Sequence, residues 1–234
     1  MKKIGIIGGL GPESTIDYYK GIINAFRQRK VGLTTPEIII YSADVNRLLE
    51  LVETKDWNNL VEWLVKMVNA LYSAGAEFAV IGSNTPHIVF DKVKPRSPIP
   101  MLSIVDETCK RASNMKLKRL GLIGTKFTME SDFFQKVFHD LDMSIIVPMK
   151  DEQQFIHNKI ISEIGLGIIK NSTRQELLSV VKRMIDEDSI DGLILGCTEL
   201  PKILEKDEYG IPFLNTTAIH IKSIVDYCIG NQKV

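Results

Sequence analysis

Cysteine is scarce in this sequence of 234 residues: it occurs three times, as Cys109, Cys197 and Cys228. No two of them stand in a C-x-x-C spacing, which excludes a disulfide framework and a zinc site of ordinary pattern. A cysteine that matters here is expected to matter as a thiol. An excess of charge of either sign is also lacking, since Lys+Arg and Asp+Glu are 29 each. Without a basic patch or a run of like charges there is no electrostatic footprint for nucleic acid or an anionic membrane surface. Long hydrophobic runs are missing too. The stretch Ile4 to Leu10 ends at Gly11-Pro12, well short of the roughly 18 residues that a membrane span needs. Met1-Lys2-Lys3 ahead of it imitates a signal peptide, but Pro12 and Glu13 follow too early and no small-residue cleavage site comes after them. The expected compartment is the cytoplasm, with neither nucleic acid nor membrane as a partner.

What is present is the ordinary balance of a globular protein, 44% apolar and 25% charged with 16 Gly and 9 Pro. Short β-rich runs alternate with longer amphipathic segments. Lys3 to Ile7 reads as a strand, a helix follows from about Glu13, and Glu37 to Tyr41 reads as the next strand. Between Trp57 and Ser73, Leu60, Val61, Leu64, Val65, Val68, Leu71 and Tyr72 recur at helical spacing, and Phe78 to Ile81 then reads as a buried strand. Leu177, Leu178, Val181, Met184 and Ile185 repeat the pattern before Leu193 to Leu195. The likeness is a true repeat. Lys3-Ile4-Gly5-Ile6-Ile7-Gly8 matches Arg119-Leu120-Gly121-Leu122-Ile123-Gly124, the turn at Ser83 matches the turn at Cys197, and Ile99 to Ser103 matches Ile211 to Asn215. The pattern predicts two α/β lobes of about 115 residues, each a parallel sheet flanked by helices. Ligands of such sheets bind beyond the carboxyl ends of the strands. Lobes facing each other by pseudo-symmetry would set Ser83 and Cys197 on either side of one cleft.

Gly8-Gly9-Leu10-Gly11-Pro12-Glu13-Ser14 invites a dinucleotide reading, but G-x-G-x-x-G started at Gly9 fails at Ser14. Glu13 in the first helical turn would also repel a pyrophosphate. A glycine turn that admits a small ligand close to the backbone is the better reading of Gly11. Gly196-Cys197-Thr198-Glu199 places a thiol between a buried strand and what should be the first turn of a helix, where backbone N–H groups and the helix dipole would stabilise a thiolate. The competing reading makes Cys197 a small buried hydrophobe. Cys109 and Cys228 fall in amphipathic helical patterns and read as packing residues. Asn84 and Thr85 in one lobe, and Thr125, Lys126 and Thr128 in the other, follow strands and offer hydroxyls and amides suited to a carboxylate; equally they cap helices. His87 and His220 follow strand ends and read as structural, whereas His139 and His157 read as solvent-facing.

These motifs together, Lys3 to Thr15, Ser83-Asn84-Thr85-Pro86-His87, Gly124 to Met129 and Gly196-Cys197-Thr198-Glu199, resemble the aspartate/glutamate racemase family over nearly the whole chain. The resemblance implies a cofactor-independent amino-acid racemase, without metal, commonly a homodimer, that holds its substrate between two cysteines on opposite faces of the α-carbon. It implies that a last helix from about Thr217 crosses back to the first lobe, so that residues 1–103 with 213–234 form one lobe and 104–212 the other. The family's first cysteine aligns with Ser83, leaving Cys197 as the base, and the lysine with which aspartate racemases grip the side-chain carboxylate falls at Leu166. Members with a hydroxyl residue at the first position act chiefly from L to D as broad-specificity racemases. On this resemblance Gly11, Asn84, Thr85, Thr125, Thr128, Thr198, Glu199 and Arg47 bind the substrate amino acid. Two alternatives stand beside it: a one-cysteine decarboxylase or isomerase of small dicarboxylic acids, and an inactive protein that binds small acids.

Overall fold

The computed structural model describes residues 1–29 and 35–230. By their contacts the residues divide into two compact units, Met1–Glu107 with Thr217–Val234, and Thr108–Thr216. The first unit contains β1 (Ile4–Gly8), α1 (Pro12–Gln28), β2 (Ile38–Ser42), α2 (Val45–Glu53), α3 (Trp57–Ser73), β3 (Phe78–Ile81), α4 (Phe90–Val93) and β4 (Met101–Leu102). From it α5 (Ile104–Asn114) leads into the second unit. There follow β5 (Arg119–Ile123), α6 (Lys126–Glu130), α7 (Phe133–His139), β6 (Ser144–Ile146), α8 (Lys150–Ser162), α9 (Asn171–Asp188), β7 (Gly192–Leu195) and β8 (Phe213–Asn215), and α10 (Thr216–Cys228) returns to the first unit.

Each unit is built on a four-stranded parallel sheet, ordered β2-β1-β3-β4 in one and β6-β5-β7-β8 in the other. β1 and β3 are unbroken apolar runs because helices cover both of their faces. Ile4, Ile6, Phe78 and Val80 pack with Tyr18, Ile22 and Phe26 of α1 and with Ile224 and Val225 of α10. Ile7, Ala79 and Ile81 belong instead to the cluster of Leu60, Leu64, Met67 and Val68 from α3. The buried residues of α1, Ser14, Tyr18, Ile22 and Phe26, stand four apart and make one stripe. In the second unit Ile123, Leu193 and Leu195 pack with Ile156 and Ile160 of α8 and with Leu177, Val181 and Met184 of α9.

One expected element does not form. Cys197 is followed not by a helix but by a turn at Thr198 and Glu199 and a three-residue 3₁₀ segment, Leu200–Lys202. Pro201 has no N–H to give to a helical ladder, and Leu200, Ile203 and Leu204 drop into the core, pinning the segment to the sheet. Among the described residues no helix is long and apolar enough to cross a membrane.

Candidate active site

The strand order fixes where chemistry can gather. From β1 the chain turns through α1 to β2 on one side, and from β3 it turns to β4 on the other, so the carboxyl ends of these neighbours form a switch point where the outgoing loops part. β5 and β7 form the same arrangement in the second sheet. Matching backbone bonds close both junctions: the Gly82 N–H donates to the Ile7 carbonyl at 2.9 Å, and the Gly196 N–H to the Ile123 carbonyl at 2.8 Å. Each junction therefore carries one residue of interest directly behind its glycine, Ser83 in one unit and Cys197 in the other.

In the first unit the loop after β1 runs through Gly9 and Gly11, at φ 76° and 142°. A Cβ on Gly9 would lie 2.2 Å from the Ala43 carbonyl oxygen, so only glycine fits. Gly11 is the N-cap of α1 and Pro12 its first residue. Thr15 holds the loop from inside, its hydroxyl accepting from the Gly9 N–H at 2.8 Å. Ser14, buried at the start of the α1 stripe, donates to the Gly82 carbonyl at 2.8 Å. The position at which the dinucleotide pattern fails is thus a clamp on the Ser83 turn. Ser83 and Thr85 are half-buried and Asn84 is buried beside them. Arg47 lies off this junction, exposed in the first turn of α2 with its guanidinium 5.2 Å from the centre of the Trp63 ring.

In the second unit Cys197 is half-buried and its thiol donates to Glu199 Oε2 at 2.9 Å. The Thr198 hydroxyl donates to the same oxygen at 2.8 Å. Burial first, and then the Glu199 carboxylate through its charge and its acceptance of the S–H, pushes the thiol well above its ordinary value. This reverses the expectation of a turn that lowers it. A 3₁₀ segment of three residues supplies no helix dipole to favour the thiolate, and a carboxylate at hydrogen-bond distance opposes it. Thr125 caps α6, accepting from the Thr128 N–H, and the two hydroxyls lie 3.0 Å apart. His157, expected to face solvent, is half-buried and accepts from the Lys126 N–H at 3.3 Å, so α8 helps to hold this turn.

The remaining cysteines pack as expected, Cys109 in α5 and Cys228 in α10, both buried. His220 is buried: its Nε2 lies 3.3 Å from the Leu102 carbonyl and its Nδ1 2.7 Å from the Tyr18 hydroxyl. A carbonyl only accepts, so Nε2 carries the proton and Tyr18 donates to Nδ1. Sequence reasoning missed Ser14, Tyr18 and His157, because each acts through a hydrogen bond to a residue far away along the chain, Gly82, His220 and Lys126 respectively. Among the described residues no three His, Cys, Asp or Glu side chains cluster as a metal site would.

Two glycine-closed switch points, one followed by a hydroxyl and the other by a thiol, on twin parallel sheets, agree with what comparison with known proteins finds. The chain belongs to the Asp/Glu/Hydantoin racemase family, whose profile matches residues 7–224. It is 28% identical to the broad specificity amino-acid racemase RacX of Bacillus subtilis, over 98% of this chain and 99% of that protein. A glutamate racemase from Exiguobacterium sibiricum is 24% identical over 82% of this chain and 71% of its own length. Among solved structures, an aspartate racemase homologue from Pyrococcus horikoshii OT3 superposes with a TM-score of 0.87 at 32% identity, covering 98% of this chain and 100% of that one.

Proposed function

We propose that the chain is an amino-acid racemase working without pyridoxal phosphate or metal, with Cys197 as the base toward one enantiomer and Ser83 acting at the opposite face of the α-carbon. The observation that carries this reading is the hydrogen bond from the Cys197 thiol to Glu199 at the carboxyl end of β7. An α-proton is a weak acid, so the site needs a strong base, and a thiol is a base only after losing its proton. Glu199 is placed to take it. The thiol proton passes to Glu199 Oε2, the thiolate then removes the α-proton, and the S–H is re-formed. The transfer moves the negative charge from the carboxylate to the sulfur, so a substrate ammonium group held nearer the sulfur than Glu199 favours it.

The carbanion that results is stabilised by hydrogen bonds to its carboxylate. Asn84, Thr85 and the Gly11 turn offer these from one unit, and Thr125, Thr128 and Thr198 from the other, with Arg47 available to a side-chain carboxylate. Ser83 delivers the second proton, directly or through a water. A hydroxyl ionises far less readily than a thiol, so Ser83 is the weaker base and turnover is faster from L to D. The substrates are glutamate, aspartate or a wider set of amino acids. By the same resemblance the enzyme works as a homodimer, each protomer combining the two halves, 1–103 with 213–234 and 104–212; its compartment, read from the sequence pattern, is the cytoplasm. The test is proton NMR of L- and D-amino acids in D₂O with the wild-type protein, Cys197→Ala and Cys197→Ser. Wild-type protein should wash out the α-proton signal and both variants should lose that activity; substantial exchange in both variants would remove Cys197 from the role.

A further inference from the structure

His87 takes no part in the reaction proposed above, yet it is built into the turn that carries Ser83. It lies in the 3₁₀ segment Thr85–Val89 and is 5% exposed, with its ring stacked on Phe90 at 4.9 Å between centres and 14° between planes. Its Nδ1 is 2.9 Å from the Ser83 carbonyl oxygen, and the Ile104 N–H donates to its Nε2 at 3.3 Å. An N–H needs a lone pair to donate to, so Nε2 is unprotonated. Nδ1 therefore carries the proton and donates it to Ser83. Burial, and then the neighbouring His220, lower the His87 pKa to about 3, which keeps this tautomer neutral across the working range.

Both ring nitrogens are thus committed to backbone, one to the Ser83 turn and one to the first residue of α5. With Ser14 on the Gly82 carbonyl, two consecutive carbonyls of the turn are held by side chains. The Ser83 hydroxyl has no hydrogen-bond partner among the described residues and is left for the substrate. At Cys197 it is Glu199 that holds the side chains of the turn, accepting from the thiol and from the Thr198 hydroxyl.

We infer that His87 is a positioning residue for Ser83: by holding the Ser83 carbonyl and the start of α5 on its two nitrogens, it fixes the direction of the hydroxyl. The inference rests on the racemase reading and predicts a lesion confined to one face of the substrate. His87→Phe keeps the stack on Phe90 but neither hydrogen bond, whereas the side-chain amide of His87→Asn can still donate to the Ser83 carbonyl. Exchange of the α-proton and inversion at the α-carbon are followed together in D₂O, by NMR and chiral analysis, from the enantiomer that Cys197 serves. His87→Phe should lower inversion per exchange event by about tenfold, as expected of a displaced catalytic group, while exchange itself changes less than twofold. His87→Asn should restore most of the inversion. Equal loss of exchange and inversion in His87→Phe, or loss of neither, overturns the inference. So does, without any variant, long-range ¹H–¹⁵N NMR of the wild-type protein that finds His87 protonated at Nε2 or titrating between pH 5 and 8. Wild-type protein that exchanges no α-proton overturns the racemase reading itself, and the NMR tautomer then still reports whether the His87 bond to Ser83 exists.

Discussion

Acidification from pH 7.5 to 5 should weaken the first unit through two buried histidines. His87 and His220 each have the ordinary value of 6.5 lowered to about 3, in both cases chiefly by burial. The sign follows from which state takes the proton. Below 6.5 the unfolded chain binds one proton at each ring and the folded chain binds none until about pH 3, so stability is complete above 6.5 and is lost as pH falls. Each pH unit inside that window costs about 1.4 kcal/mol per histidine. Between pH 7.5 and 5 each ring therefore costs about 2 kcal/mol, and the pair about 4 kcal/mol, a large part of the 5–15 kcal/mol typical of a domain. The hydrogen bonds show why the rings refuse protonation: Nε2 of His87 and Nδ1 of His220 each accept a bond that a protonated nitrogen could not accept. Urea unfolding followed by circular dichroism at pH 7.5, 6 and 5 measures the loss. His220→Gln should halve the slope of stability against pH whatever it does to stability at pH 7.5. A slope near zero between pH 6 and 5 in the wild-type protein, or one unchanged by His220→Gln, would refute the reasoning.

Ser83→Cys should raise turnover of the D enantiomer at least about 10²-fold, the contribution of a positioned general base. Because the equilibrium constant between enantiomers is one, kcat/KM must rise equally from both sides. Initial rates from L- and D-glutamate and aspartate decide it, and an unchanged D rate in a folded variant would show that residue 83 does not face the α-carbon. Glu199→Gln removes both the charge and the anionic acceptor that raise the Cys197 thiol. Alkylation of Cys197 should therefore begin at lower pH, while racemisation falls by about 10²-fold for want of a group to receive the thiol proton; a variant with faster alkylation and full activity would exclude Glu199 as that receiver.

The twin α/β architecture was legible in the sequence, because a strand buried on both faces must be an apolar run and a helix lying on a sheet must show its stripe. The repeat of Lys3–Gly8 at Arg119–Gly124, and of the Ser83 turn at Cys197, marks both strand ends in the sequence itself. The environment of Cys197 was not legible. Its turn reads like the start of a helix, but Pro201 and the burial of Leu200, Ile203 and Leu204 leave only a 3₁₀ turn, and the dipole expected to favour the thiolate is replaced by the Glu199 carboxylate that opposes it. The same limit hid Ser14, Tyr18 and His157 as supports, and it hid which carbonyl His87, read as structural, would hold. Each acts through a hydrogen bond to a residue brought close by the sheet order, as Ser14 does to Gly82. Periodicity and local spacing determined by themselves the buried strands β1, β3, β5 and β7 and the striped helices α1, α3 and α9 beside them, because burial acts residue by residue. The protonation states of the thiol and the buried histidines were decided only by the tertiary structure, because desolvation and a partner's charge depend on distances that no spacing along the chain records.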